Sequence, residues 1–198
     1  MNKEEIKFFD KIAPTWDANE KMSVAARINP ILDMIGIKKG DKVLDLGTGT
    51  GVLLPYLSDR VGAEGHIRAV DISTGMLSRA KEKFGSLDNV SFTYLDFEKQ
   101  PLEGQYDVIM MYCVFPHLAD PDLTLLSLYD RNLRHGGKIA IAFPTNERAI
   151  NHVHHDRKIE SGHLPPGPDL AVMLAEVGFD ASCLAYSDSA YVVTIVKR

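Results

Sequence analysis

The sequence predicts an α/β protein: a doubly wound, seven-stranded sheet, mostly parallel, with an antiparallel C-terminal hairpin. Three observations carry this expectation. Short apolar runs alternate with longer stretches of helical period, a glycine-rich turn follows the first run, and the last two runs follow one another with almost no linker. Such alternation winds helices over both faces of a parallel sheet through right-handed crossovers. Strands covered on both faces read as continuous apolar runs, as these do.

The first five strands are expected at 42–46 (KVLDL), 66–70 (HIRAV), 90–95 (VSFTYL), 106–111 (YDVIMM) and 138–143 (KIAIAF). Helical patterns fill about 51–60, 73–84 and 121–134, where Ser73 and Asp120 suit N-caps and Pro121 suits a first helical position. A further helix at 167–177 stops at Gly178 and is followed by FDASCLAYS and AYVVTIVKR. Two adjoining strands joined by a tight turn must pair antiparallel, because a parallel pair needs a long crossover. No repeat or composition shift marks a second domain, so one domain over 1–198 is expected.

A hydrophobic content of 45% and a charged content of 25% suit a globular chain with a real core. The net charge of -5 gives no basic field, which makes nucleic acid and anionic membranes poor partners. Cys113 and Cys183 form no CxxC or zinc-finger spacing and read as core thiols. The charged opening MNKEEIKFFDK lacks an apolar secretory core, and no run reaches membrane-spanning length. A cytoplasmic protein is the expectation.

The turn VLDLGTGTG (43–51) brings backbone close to a nucleotide-like ligand. It matches neither phosphate fingerprint. The dinucleotide pattern G-x-G-x-x-G fails at Val52, and no lysine follows as a P-loop requires. Instead Gly47, Gly49 and Gly51 form G-x-G-x-G, with Asp45 just before. Asp71 ends the second strand, where a carboxylate can accept from both ribose hydroxyls of a nucleoside. Asp96, with Phe97 beside it, ends the third, suited to the amine and the ring face of an adenine. Each acid alone also reads as a turn or cap residue. Three at the ends of successive strands point to one ligand.

The segments VLDLGTGTGVLLPYL, AVDIS, LDFEKQPL and YDVIMMYCVFPHLADP resemble the successive motifs of class I S-adenosylmethionine-dependent methyltransferases, in the ubiquinone/menaquinone-biosynthesis-like (type 11) group. The opening FFDKIAPTWD resembles the start of that group. The resemblance implies a Rossmann-like fold and S-adenosyl-L-methionine as cofactor, a ligand without phosphate. It implies that Asp45, Gly47, Thr48, Gly49 and Gly51 face the methionine part. Asp71 would take the ribose hydroxyls, Ile72 would pack on the adenine, and Asp96 and Phe97 would hold its edge and face. Tyr112 would sit near the sulfonium, where an aromatic face favours positive charge.

The expected reaction is in-line transfer of a methyl group to a small-molecule acceptor with an oxygen, carbon or sulfur nucleophile. YCVFPH stands where amide and nucleobase N-methyltransferases carry [DN]-P-P-[YF], which argues against those acceptors. A base is needed where the nucleophile must lose a proton, and His117, after the fourth strand, is the first candidate. Its other reading is a loop histidine that orders backbone. The segment 145–166 is expected to cap the acceptor pocket, and it holds His152, His154, His155 and His163. If 146–160 is helical, His152, His155, Asp156 and Ile159 share one face, making His152 and His155 pocket candidates. The spacing matches no standard metal motif, so no metal site is assigned. The alternative is a non-catalytic module that binds S-adenosylmethionine or a metal through 151–163. Residues 1–20, with Phe8, Phe9 and Trp16, are expected to form a lid, or else to anchor a helix to the body. A monomer or homodimer is expected.

Overall fold

Strand β1 (Lys42–Leu46) lies at the heart of the sheet because its side chains are apolar on both faces. Val43 belongs to the core on one face, Leu44 and Leu46 to the core on the other, and all three are fully buried. The computed structural model describes residues 3–19, 24–156 and 162–198. The other strands are β2 (His66–Asp71), β3 (Val90–Tyr94), β4 (Tyr106–Tyr112), β5 (Leu133–Phe143), β6 (Asp180–Ser187) and β7 (Ala190–Val196). Their order is β3-β2-β1-β4-β5-β7-β6. The first five run parallel, and β7 is antiparallel to both β5 and β6, as the sequence predicts. Strand order reverses between β1 and β4, which opens a crevice beyond their carboxyl ends.

Helices cover both faces. One core packs α2 (Val24–Ile35), α3 (Leu54–Val61) and Ala80 of α4 (Thr74–Phe84) against the sheet. The opposite core takes residues of α5 (Pro121–Ser127) and α7 (Gly167–Glu176). The caps read from sequence are present: Ser73 Oγ accepts from Met76 N at 3.1 Å, and Asp120 Oδ1 from Leu123 N at 2.9 Å. Helix α1 (Lys3–Ile12), with the 3-10 turns of Ala13–Asn19, and α6 (Glu147–Asp156) lie near the crevice.

Two elements differ from expectation. Helix α2 does not stand out in the sequence, where Pro30 interrupts it, yet Ile28, Ile31, Leu32 and Ile35 form a fully buried i, i+3, i+4, i+7 stripe. Each of these side chains contributes roughly 2 kcal/mol by leaving water, and Pro30 sits on the exposed side. The expected helix over 121–134 is also shorter. Regular α-helix stops at Ser127, a π-helical turn spans Leu128–Asn132, and β5 begins at Leu133. Long-range polar contacts impose this end. Lys197 Nζ donates to the carbonyls of Tyr129, Asp130 and Leu133, while Asn132 Nδ2 donates to those of Leu102 and Gly104, both at 2.9 Å.

Candidate functional site

The glycine turn leaves β1 and crosses the end of β2, where Gly47 N and Thr48 N both donate to Val70 O, at 2.8 and 3.0 Å. Gly47 has φ +67°, and a Cβ there would stand 2.4 Å from Val114 Cγ2. Gly49 has φ +57°, and a Cβ there would meet no atom within 4 Å. Both line a cavity of about 210 Å³ in the crevice, so at Gly49 the missing side chain is ligand space. Gly51 does not face the cavity, contrary to expectation. It packs against side chains instead: a Cβ there would stand 2.8 Å from Phe84, 2.9 Å from Leu54 and 3.2 Å from Ala80.

Asp45 and Asp71 are buried side by side at the base of this cavity, 2% and 7% exposed. Thr48 Oγ1 donates to Asp45 Oδ2 at 2.7 Å. Burial pushes the Asp45 carboxyl up to about 7, and the nearby Asp71 charge adds to the rise. Asp71 ties the strand end to the turn, accepting from Gly49 N and Ser73 N, each at 2.8 Å. Burial raises its pKa too, against the lowering by these backbone donors.

Asp96, Phe97 and Glu98 form a second wall, with Ile72 and Tyr112. Asp96 accepts from Lys99 Nζ at 2.7 Å, and Glu98 Oε1 accepts from Ala119 N and Asp120 N at 2.7 and 3.1 Å. Nine of the ten cofactor residues expected from sequence thus line one cavity, Gly51 being the exception. Arg27, Glu98, Thr50 and Cys113 line it as well and carry no sequence signal. Cys113 is the one non-glycine with positive φ among the described residues, at 59°, a strained geometry of the kind found at ligand sites. It is a half-buried thiol, in no disulfide, that packs against the core as expected and also lines the cavity.

The N-terminal segment contributes to the cavity wall. Phe9 and Trp16 line the cavity with ring centroids 5.9 Å apart. Three carboxylates hold the segment down. Asp10 Oδ1 accepts from Ser73 Oγ and Gly75 N at 2.6 and 2.8 Å; Asp17 accepts from Thr50 Oγ1 and Lys83 Nζ at 2.6 and 2.7 Å. Glu5 reaches His117.

His117 lines the cavity, buried, in a 3-10 turn after β4. His152 and His155 do not line it; both are exposed on α6. The inward face of α6 is instead Glu147, Ile150, Asn151 and His154. Glu147 is 5% exposed, Ile150 packs on the core, and Asn151 bonds both ways with the Leu164 backbone. The His154 ring lies 4.8 Å from His117. The apolar anchor Ile150 sets the helix rotation, and on that rotation His154, one position from His155, turns inward. Ile159 and Glu160 lie outside the described residues, as does the Asp156 side chain. Among the described residues no group of three or more His, Cys, Asp or Glu is arranged to hold a metal ion.

The donor set suits an adenosine-like ligand that carries positive charge and no phosphate. Four acids, Asp45, Asp71, Asp96 and Glu98, face Arg27 as the single Lys or Arg side chain of the lining. Fold and cavity together define a nucleoside-binding α/β protein. Residues 37–171 match the methyltransferase domain family. The chain belongs to that family, among the class I S-adenosylmethionine-dependent methyltransferases of the ubiquinone/menaquinone-biosynthesis-like type. This favours the enzyme over the non-catalytic histidine module.

A ubiquinone/menaquinone biosynthesis C-methyltransferase of Idiomarina loihiensis is 36% identical over 114 residues, 56% of this chain and 45% of that protein. Its counterpart in Methylococcus capsulatus is 32% identical over 143 residues, 67% of this chain and 56% of that protein. The chain spans about half the length of these curated relatives. An S-adenosylmethionine-dependent methyltransferase from Aquifex aeolicus has a TM-score of 0.70 at 25% identity, with 98% of both chains covered.

Proposed function

We propose that the protein transfers a methyl group from S-adenosylmethionine to an oxygen, carbon or sulfur nucleophile of a small-molecule acceptor. The observation that carries this reading is the single cavity in which Asp45, Asp71 and Asp96 meet His117. When bound, the cofactor would supply a methyl group activated by its positively charged sulfur, the carbon–sulfur bond breaking as the acceptor's bond to that carbon forms. Asp71 would accept from the ribose hydroxyls, Asp96 and Phe97 would take the edge and face of the adenine, and Ile72 would pack on it. Asp45 and the backbone of Gly47, Thr48 and Gly49 would hold the methionine part, and Arg27, which lines the same cavity, would offer its carboxylate a positive partner. Tyr112, at the cavity wall, would favour the positive charge of the sulfonium. His117 takes the acceptor's proton where the nucleophile carries one.

The chain is read as one methyltransferase domain, with residues 1–20 as a lid and 145–166 as a cap on the acceptor pocket. Phe9 and Trp16 at the cavity support the lid. Among the described residues no helix is long and apolar enough to cross a membrane; a cytoplasmic location is proposed. A monomer or homodimer is proposed.

Calorimetric titration with S-adenosylmethionine tests the reading. Asp71→Asn should weaken binding about 10- to 100-fold, the loss expected for a charged hydrogen-bond acceptor. No binding by wild-type protein freed of copurified cofactor would remove the proposal. Removing residues 1–18 should lower kcat/KM about 10-fold or more through loss of the closed, water-excluding state; unchanged kinetics would sink the lid.

A further inference from the structure

We infer that Glu5 is a positioning residue for His117, so that the base is complete only while α1 is docked. The inference deepens the methyltransferase reading and rests on it for the chemistry that His117 performs. Glu5 stands 112 positions from His117 in the chain. Even so, Glu5 Oε1 lies 3.2 Å from His117 Nδ1, with both side chains 8% exposed. A carboxylate only accepts, so Nδ1 carries the ring proton and the free lone pair stands on Nε2. The ring is also boxed in, by Phe9 edge-on at 5.5 Å and by His154 at 4.8 Å. Tied at one nitrogen and packed on two sides, the imidazole is held in one orientation at the cavity.

The proton balance is simple. As the acceptor's electron pair bonds to the methyl carbon and the carbon–sulfur bond releases its pair to sulfur, the acceptor's proton would pass to Nε2. The resulting imidazolium would keep its Nδ1 proton, and the Glu5 carboxylate beside it would offset the new charge in a site shielded from water. The proton then returns to solvent when the product leaves.

The same helix touches the cofactor side. Glu5 and Phe9 are one turn apart on α1, and Asp10, the next residue, bonds Ser73 and Gly75. Ser73 N in turn donates to Asp71. Docking α1 therefore closes the wall beside Asp71 and orients the base in one event. With the helix lifted, His117 loses its fixed tautomer while the cofactor is open to water.

The test reads the His117 ring by ¹⁵N NMR in the full chain saturated with S-adenosylhomocysteine, the signal assigned with His117→Asn. The neutral wild-type ring should be the Nδ1–H tautomer. Glu5→Leu should shift it toward Nε2–H, whereas Glu5→Gln should retain Nδ1–H, because the amide oxygen accepts in the same place. With an acceptor in hand, Glu5→Leu should lower kcat about 100-fold and Glu5→Gln about 10-fold, with cofactor KM within about twofold. A wild-type ring in the Nε2–H form, or a tautomer indifferent to Glu5→Leu, overturns the inference. If Glu5→Leu does not fold, the wild-type tautomer and the Glu5→Gln rate decide. The tautomer is read without turnover, so failure of this inference and failure of the methyltransferase reading give different results.

Discussion

Gly47→Ala is expected to abolish measurable cofactor binding and to lower stability by about 3 kcal/mol. Two costs add at this position. The backbone is left-handed, at φ +67°, and a Cβ would overlap Val114 Cγ2 at 2.4 Å. Val114 is 7% exposed and packed in the core that holds Leu44 and Leu46, so it has little room to yield. The turn must move instead, and it carries both Thr48, which bonds Asp45, and Gly49 N, which bonds Asp71. One methyl group thus disturbs two binding carboxylates. Denaturant melts and the same titration measure the two effects; affinity within about 10-fold of wild type would mean that the turn does not cradle the ligand.

The second large effect is one of pH. Asp45, moved from its ordinary 3.8 to about 7 by burial, favours its neutral form in the folded protein. A raised folded-state value means a contribution to stability that is full below about pH 4 and lost as pH rises to about 7. Its size is about 4 kcal/mol as an upper bound. Asp71, also raised by burial, acts in the same direction, whereas Asp17, lowered by Lys83 and Thr50 despite its own partial burial, acts in the opposite one. The comparison that isolates Asp45 is with Asp45→Asn, which should flatten the decline between about pH 4 and 7. A cation bound beside Asp45 favours its ionised form. Cofactor binding near pH 6 should therefore release up to one proton, and affinity should rise by up to about 10-fold per pH unit until about 7. Titrations in buffers of different ionisation enthalpy report the proton count. A flat affinity with no proton release would contradict the placement of Asp45 against positive charge.

What was legible in the sequence follows from the range of the forces involved. Strands β1, β2, β4 and β5 announce themselves as largely apolar runs because both of their faces are largely covered, whereas the edge strand β3 is only partly buried. The Ser73 and Asp120 caps are local chemistry, and so is the glycine turn. The acids ending β1, β2 and β3 need only strand order to converge. Helix α2 was hidden because Pro30 breaks a pattern that the buried isoleucines nonetheless keep. The early end of α5 depends on Lys197, some 64 to 68 positions away. The inward turn of His154 depends on where Ile150 finds its core, and the pairing of Glu5 with His117 spans most of the fold. Such contacts leave no periodic trace. Gly51 misled because a glycine kept for helix packing looks the same in sequence as one kept for a ligand.

The place of β7 has a consequence for how the chain acquires its form during synthesis. It lies between β5 and β6, and Tyr191, Val192, Val193 and Ile195 are fully buried there. Strand β6 leaves the ribosome before β7 yet has no other neighbour in the sheet, and β5 has β7 as its second partner. The parallel half, with its turn and acids, can gather as it emerges. The other edge cannot assemble in order of emergence and must wait for the last strand to slide into a prepared gap. That insertion is a non-local closure of the kind that slows folding, and until it happens the flank of β5 stands open to any other chain with a strand to offer.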